Sequence, residues 1–401
     1  LKALETGGPY QLQIIGKENP ISIKDILIGD VWLCSGQSNM QWVVNNVTNA
    51  EVEKKNANYP QIRTLNIPRR MELSPKDTIS ATWLVCSPEN VGRFSGVAYF
   101  FAKKVYEETN IPIGIINSSW GGTIVETWTS LEAANTLPQK RLDRYNKNEK
   151  LFPPTEYLTR KNKEAKRNDY PSLVYNAMIH PLLSFSIKGV LWYQGENNVG
   201  NAEPYTDWLT CMIGDWRNRW NSELPFYIIQ LPNFDSINKK PLWAEMRDAQ
   251  SKVLAVPGTH LIVTSDLGDP YDLHPRNKQE VGMRAALQAL HYEYGYSDIV
   301  SESPMFERME INGDKVIITF KNTGSGLEIR SRYGCLQGFA IAGEDKKFHW
   351  ALGELKDNRI VIWSPKVPNP VAVRYNWENN PDGNLYNKDG LPACLFRTDN
   401  W

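Results

Sequence analysis

The residues whose types could do chemistry stand in four short blocks, and each block follows an apolar run. They comprise a serine, a histidine, a carboxylate and four residues able to donate a neutral N–H: Ser38, His274, Asp272, Gly121, Gly122, Gln194 and Asn197. Acyl transfer needs a nucleophile, a base, an acid that orients the base, and neutral donors for an oxyanion. The set predicts acyl-transfer chemistry if the fold brings the four blocks together.

Ser38 and His274 are the candidates for nucleophile and base. Ser38 lies four residues beyond an apolar strand, and Gly36 permits a tight turn before it. His274 is one of five histidines and follows Asp272 by two residues, so that a carboxylate could hold the imidazole in the required tautomer. The alternatives are a turn serine or helix N-cap for Ser38, and a plain surface-loop position for His274.

The oxyanion candidates are neutral. The pair Gly121 and Gly122 follows a predicted strand and would let backbone N–H groups approach a ligand closely. Gln194 and Asn197 could each aim an amide N–H at a developing oxyanion. The alternatives are a turn that starts a helix for the glycines and ordinary strand-end hydrogen bonds for the amides.

Two nearby acids, Glu126 and Glu196, are predicted to have structural roles. The sequence contains no metal-ligand spacing such as HExxH, no glycine-rich dinucleotide or phosphate loop, and no GxSxG elbow. We therefore expect neither a metal nor a cofactor.

The elements that must position these blocks alternate between short apolar runs and amphipathic helices, which is typical of a parallel α/β sheet. The runs are 26–34, 111–116, 187–193, 226–231 and 260–264, and ligands bind at the carboxyl ends of such strands. Ser95 is a candidate N-cap for the helix that follows it. Pro204 and Pro275 fit the first position of two later helices.

The pattern of apolar and polar residues along the chain predicts three parts. Residues 26–300 carry the α/β pattern, with a polar insertion at about 125–175. Residues 301–401 alternate in the manner of short strands and predict a C-terminal β-sandwich. Residues 1–25 also resemble strand, and with Leu1 in place of an initiator Met we expect them to be the remnant of a trimmed N-terminal β unit.

The composition argues against some classes of binding partner. The 401 residues include 45 Lys+Arg and 45 Asp+Glu, and this balance argues against electrostatic capture of nucleic acid or of an anionic membrane. No apolar stretch is long enough to span a bilayer. The five cysteines are scattered and odd in number, which leaves room for one disulfide but not for a disulfide framework.

The four blocks, taken in order, are similar to the conserved blocks of SGNH hydrolases, and more narrowly to those of the sialate O-acetylesterase family. The blocks are 36–40 (Gly-Gln-Ser-Asn-Met), 120–123 (Trp-Gly-Gly-Thr), 192–197 (Trp-Tyr-Gln-Gly-Glu-Asn) and 272–275 (Asp-Leu-His-Pro). The segments 28–35 and 384–393 also resemble that family, and the resemblance covers the chain from about residue 5 to its end. It implies a three-layer αβα, flavodoxin-like sheet with accessory β units.

The resemblance also implies a serine esterase that removes O-acetyl groups from sugars. Ser38 matches the nucleophile, His274 the base, and one glycine of 121–122 together with the loop 194–197 the oxyanion donors. Two departures leave roles open. The acid usually lies three residues before the histidine, where this chain has Tyr271; Asp272 is our choice, with Asp269 or a Ser–His dyad as alternatives. In the third block, either Gln194 or Asn197 could be the oxyanion donor.

The expected substrate is an acetylated sugar or glycan, with 9-O-acetyl sialic acid favoured by the family. A sialic acid would suit an arginine clamp for its carboxylate, and Arg93, Arg276 and Arg284 lie near the blocks. The alternatives are acetylated hemicellulose such as acetyl-xylan or xyloglucan, an esterase for longer acyl chains, and a non-catalytic carbohydrate-binding protein. Relatives imply a secreted or periplasmic location, or a lysosomal one in a eukaryote.

Overall fold

The computed structural model describes residues 4–16, 19–142, 170–235 and 240–401. Its centre is a seven-stranded sheet in which six strands run parallel and the edge strand β5 is antiparallel. The spatial order is β5-β4-β6-β3-β7-β8-β9. The strands are β3 (Asp30–Gly36), β4 (Tyr59–Asn66), β5 (Trp83–Cys86), β6 (Ile113–Ser119), β7 (Gly189–Tyr193), β8 (Phe226–Ile229) and β9 (Thr259–Ile262).

Helices cover both faces of this sheet. The α-helices of the described residues are α1 (Ser38–Gln41), α2 (Ala50–Asn56), α3 (Gly96–Thr109), α4 (Leu131–Ala134), α5 (Ala202–Trp220), α6 (Leu242–Lys252) and α7 (Lys278–Glu293). Trp32 of β3 packs on Phe101 of α3, while Trp192 of β7 packs on Trp216 of α5. Trp192 is paired with Ser35, three residues beyond Trp32, so the two tryptophans point to opposite faces. The fold therefore has three layers, as predicted.

The remaining strands are antiparallel. A hairpin joins β1 (Gly7–Ile14) and β2 (Ile21–Ile28). Two four-stranded sheets, β10-β11-β16-β15 and β14-β13-β17-β19, and the pair β12-β18 occupy the C-terminal part. Their bounds are Met305–Asn312, Lys315–Lys321, Leu327–Ile329, Phe339–Ala342, Phe348–Trp350, Leu352–Lys356, Arg359–Trp363, Ala372–Tyr375, Leu385–Asn387 and Phe396–Arg397 for β10 to β19. Buried residues of both four-stranded sheets share one core that includes Ile318, Ile341, Ile362 and Val373.

The predicted fold class, a parallel α/β sheet with C-terminal antiparallel strands, is confirmed, and several local predictions need correction. The apolar run 26–34 is two strands, because the chain breaks at Gly29, where a Cβ would lie 2.0 Å from Pro112 O. Pro275 does not start a helix, since α7 begins at Lys278 with Asn277 as its cap. Ser95 does cap α3, as predicted. Most of the predicted insertion, residues 143–169, lies outside the described residues.

Within the described ranges, no helix is both long and apolar enough to cross a membrane.

Candidate functional site

The site lies where three parallel strands, β6, β3 and β7, end side by side. The chain leaves the central strand β3 towards β4 and β6 on one side and later returns to β7 on the other, and this reversal is where open α/β sheets bind ligands. Backbone bonds tie the three ends together: Gln37 N–H donates to Tyr193 O, and Trp120 N–H donates to Gly36 O, both at 3.0 Å. The first three sequence blocks therefore meet.

Gly36 is required by this junction. Its φ is +131°, and a Cβ at this position would lie 2.1 Å from Tyr193 O. The close approach lets the chain turn directly from β3 into α1, which places Ser38 in the first turn of that short helix.

The structure brings Ser38 and His274 together across 236 residues of sequence. His274 Nε2 lies 2.8 Å from Ser38 Oγ. The Trp42 ring stacks on the imidazole with centroids 4.8 Å apart and planes 8° apart, which restricts its rotation. Burial, and next the charge of Lys278, lower the pKa of His274, while the charge of Asp272 acts in the opposite direction. The imidazole is thus favoured in its neutral form, the form in which it can accept a proton.

The two candidate acids make local backbone contacts. Asp272 Oδ1 accepts a hydrogen bond of 2.8 Å from the backbone N–H of His274, and Asp269 Oδ1 accepts one of 2.8 Å from the backbone N–H of Tyr271. Across the described residues, no hydrogen bond joins either carboxylate to the His274 ring. Asp272 fixes the loop that carries His274 and acts on the ring through charge.

The glycine pair lies against the nucleophile. A Cβ on Gly121 would lie 3.2 Å from Ser38 Cβ, and the Gly121 N–H donates to Gln41 Oε1 at 2.9 Å. Gly122 has a φ of +77°, which favours glycine. Gly121 therefore lies close to Ser38, and its N–H is bonded to the Gln41 side chain in the free protein.

The two competing amides have different surroundings. Gln194 is completely buried, and its Oε1 accepts from Tyr205 Oη at 3.0 Å. Its Nε2 lies within hydrogen-bonding distance of three acceptors: Gln37 Oε1 at 3.2 Å, Thr123 O at 2.9 Å and Asn198 Oδ1 at 2.8 Å. Asn197 is exposed, and its backbone N–H donates to Gln37 Oε1 at 3.3 Å. Only the Asn197 amide is therefore free to turn towards a ligand.

A buried polar chain beneath the site joins Glu196, for which a structural role is predicted, to Asn39 and Lys278, which the sequence does not single out. Lys278 Nζ donates to Asn39 Oδ1, and Asn39 Nδ2 donates to Glu196 Oε1, both at 2.5 Å. Asn39 Nδ2 also donates to Leu273 O at 3.0 Å. The available signals were the adjacency of Asn39 to Ser38 and the position of Lys278 four residues after His274, but neither indicates that the two side chains meet.

The other residues named from the sequence are either bonded within the protein or exposed on its surface. Glu126 accepts from Asn198 Nδ2 at 3.0 Å, in keeping with its predicted structural role. Arg284 is buried and forms two 2.7 Å bonds to the carboxylate of Asp266, so it is not available to a ligand. Arg93 and Arg276 are exposed. No group of three His, Cys, Asp or Glu side chains suited to a metal ion occurs in the described part of the chain.

The three-layer sheet with the four blocks at its switch point defines an SGNH-type α/β protein. The family model "Carbohydrate esterase, sialic acid-specific acetylesterase" matches residues 28–291. The chain belongs to this sialic acid-specific acetylesterase family of carbohydrate esterases.

Curated relatives support the same assignment. Human sialate O-acetylesterase is 32% identical over 356 residues, which cover 79% of this chain and 64% of the human protein. The mouse sialate O-acetylesterase is 31% identical over 431 residues, covering 95% of this chain and 79% of the mouse protein. The chain thus spans slightly less than two thirds of the human relative.

A solved structure extends the similarity to the accessory strands. The crystal structure of a carbohydrate acetylesterase from Xanthomonas citri is similar to this chain with a TM-score of 0.89 and 39% identity. It covers all of this chain, and this chain covers 88% of the other.

Proposed function

We propose that this protein is a serine esterase that removes O-acetyl groups from carbohydrates. The observation that carries the proposal is the 2.8 Å contact between Ser38 Oγ and His274 Nε2 at the sheet's switch point, with Gly121 close by. The family assignment and the Xanthomonas carbohydrate acetylesterase support the acetyl group and the sugar as the parts of the substrate.

The proposed reaction is a double displacement. His274 Nε2 accepts the Ser38 proton while Oγ bonds to the acetyl carbonyl carbon, whose oxygen becomes an oxyanion. The imidazolium returns the proton to the sugar oxygen, and the C–O ester bond breaks to release an alcohol and leave an acetyl-serine. His274 then accepts a proton from water as the hydroxyl oxygen bonds to the acetyl carbon. The imidazolium returns this proton to Ser38 Oγ as the bond between Oγ and the acetyl carbon breaks, and acetic acid leaves and ionises to acetate.

Three neutral donors surround the proposed oxyanion position. Ser38 begins α1, so its backbone N–H has no acceptor within the helix. Gly121 lies close to Ser38, and its N–H would exchange its Gln41 acceptor for the oxyanion when substrate binds. We assign the third donor to the Asn197 amide, since the Gln194 amide is engaged in the interior.

Acetate release from p-nitrophenyl acetate and from an acetylated sugar tests the activity. Ser38→Ala is expected to abolish turnover. Ser251→Ala serves as the matched control, since the hydroxyl of this serine on α6 bonds only Asp248 O within the described residues. Full activity of Ser38→Ala would overturn the scheme. Binding of acetylated glycan without acetate release would favour a carbohydrate-binding protein instead.

The acyl preference is a separate question. We propose that acetyl is preferred over longer acyl groups, as the family assignment supports. A series of p-nitrophenyl esters from acetate to octanoate should show kcat/KM falling with chain length. A rise with chain length would identify an esterase for longer acyl chains.

For the sugar, we propose acetylated sialic acid, the substrate class in the names of the family and of the curated relatives. Arg93 and Arg276 are exposed and could meet its carboxylate. An acetylated neutral polysaccharide is the second candidate, because Arg284 is locked to Asp266 and the Xanthomonas structure is described only as a carbohydrate acetylesterase.

Rates on 9-O-acetyl sialic acid and on acetylated xylan or xyloglucan, measured in parallel, separate these two candidates. A sialate substrate predicts that Arg93→Ala or Arg276→Ala raises KM for the sialic acid while leaving p-nitrophenyl acetate hydrolysis unchanged. Preference for the neutral polysaccharide would reject the sialate assignment.

The cellular location is proposed from the family alone. We propose a secreted or periplasmic location, which fractionation of the producing cells would test; recovery in the cytoplasm would reject it.

A further inference from the structure

Lys278 is a buried cation that the proposed reaction does not use. Its side chain lies in the first turn of α7 and is fully shielded from solvent. Its Nζ bonds Asn39 Oδ1 at 2.5 Å and lies 5.5 Å from the centre of the Tyr193 ring. Burying an ammonium group is unfavourable unless it is paired and hydrogen-bonded, so a lysine here calls for a specific reason.

The donors and acceptors around Asn39 fix the orientation of its amide. Lys278 can only donate, and therefore Oδ1 of Asn39 must face it. Leu273 O can only accept, so Nδ2 must face the backbone of the loop that carries His274. The residue after Ser38 is thereby bonded to the residue before His274.

We propose that Lys278 is a positioning residue for the Ser38–His274 pair: it orients Asn39 so that α1 and the His274 loop are held together, with its positive charge facing the imidazole. This inference rests on the proposed esterase function. In a pair whose reacting atoms must be aligned, a displacement of about 1 Å can lower the rate roughly 10²-fold.

The charges facing Lys278 come from several elements. Glu196 follows β7 and binds Asn39, with its Oε2 buried and without a partner among the described residues. Asp272 and His274 face it from the loop before α7, and the buried phenol of Tyr193 faces it from β7. Burial raises the pKa of Tyr193 well above its usual range, so this phenol stays neutral.

The sign of the effect on His274 follows from these groups. Burial lowers the pKa of Lys278 to about 7, so the lysine is protonated at the lower pH where His274 titrates. A nearby positive charge disfavours the imidazolium and contributes to the lowered pKa of His274. Removing the charge should therefore raise the pKa of His274 and move the acidic limb of kcat/KM to higher pH.

Two substitutions separate the hydrogen bond from the charge. Lys278→Met removes both, and we expect kcat to fall by about 10- to 100-fold and the acidic limb to move up by roughly half a pH unit or more. Lys278→Gln keeps a donor for Asn39 without the charge, so kcat should recover in part while the limb moves as in the Met variant. Lys252→Met, on α6 beside Asp248, is the control and should change neither.

Two readouts keep the inference separate from the esterase proposal. If hydrolysis depends on Ser38 but neither Lys278 variant moves the acidic limb, Lys278 has a merely structural role and the inference is wrong. The His274 imidazole can also be titrated by NMR, with His274→Asn identifying its signal, so the charge effect is measured without any turnover. An unchanged His274 pKa in a folded Lys278→Gln protein would likewise overturn the inference.

Discussion

Asn197 and Gln194 offer the sharpest test of the proposed oxyanion site, because their amides stand in opposite environments. Asn197 is exposed, and in the described part of the chain only its backbone is hydrogen-bonded. Gln194 is completely buried, with both ends of its amide bonded. Replacing each by alanine should therefore damage different properties of the protein.

The expected magnitudes follow from those contacts. Loss of one oxyanion donor costs about 10²–10³ in kcat, so Asn197→Ala should lose that much activity with little change in stability. Gln194→Ala removes the hydrogen bonds that its amide forms in the interior and leaves a cavity. Buried groups left unsatisfied cost about 1–3 kcal/mol each, and we expect about 2–4 kcal/mol here because most partners keep a second bond. With an unfolding entropy of about 2.1 cal/mol/K per residue, that corresponds to a fall in Tm of roughly 2–5 °C for a chain of 401 residues.

For each variant, kcat on p-nitrophenyl acetate and the Tm of the same preparation are measured and compared with those of the wild type. Gln194→Glu serves as a second variant, since it preserves the shape but replaces the donating Nε2 group with a carboxylate oxygen that can only accept when ionised. The reasoning is refuted if Asn197→Ala keeps more than about a tenth of the wild-type kcat. It is also refuted if Gln194→Ala leaves Tm unchanged and loses only activity, because Gln194 would then be the donor.

Three further outcomes follow from the site geometry. Gly36→Ala should destabilise the protein by about 3 kcal/mol or more in urea unfolding, because its Cβ would meet Tyr193 O at 2.1 Å, whereas Gly214→Ala, with open space around it, should not. Trp42→Leu should lower kcat up to about tenfold with KM nearly unchanged, since a stacked ring pair contributes about 0.5–1.5 kcal/mol. Because the pKa of His274 is lowered from its ordinary value of 6.5, kcat/KM should keep most of its maximal value at pH 6.5 and fall at lower pH. If the acidic limb of the pH profile had its midpoint above pH 6.5, the assigned surroundings of His274 would be contradicted.

The central strands were predictable because they are buried on both faces. Strands β7 and β8 are buried along their whole length, and such strands appear in the sequence as continuous apolar runs. The four chemical blocks could be located for the same reason, since they follow such runs. Strand β4 was missed because it is near an edge, and polar residues such as Gln61 and Arg63 interrupt its pattern.

The contacts within the site could not be predicted, because they join residues far apart in the chain. Lys278 and Asn39 are 239 residues apart, and nothing in the spacing of either indicates the other. Gln194 and Asn197 have similar chemistry three positions apart, and only burial separates them. The N-terminus of α7 was misplaced because Pro275 resembles a helix start, while Asn277 supplies the cap.

The orientation of His274 is where the site departs most from a triad in which a carboxylate binds the imidazole. That carboxylate fixes the ring and stabilises the imidazolium, and its loss lowers kcat by about 10⁴. Here the Trp42 ring restrains the imidazole, and Asp272 bonds the backbone N–H of His274 instead of the ring. We therefore propose that Asp272 acts on the ring by charge alone.

Asp272→Asn keeps an acceptor for the backbone N–H of His274, so it should lose far less than 10⁴ in kcat. It should also lower the pKa of His274, which is opposite in direction to the effect of Lys278→Met. Asp272→Ala, which also removes the acceptor, should be the worse variant; a loss near 10⁴ for Asp272→Asn would mean that its carboxylate binds the ring during the reaction.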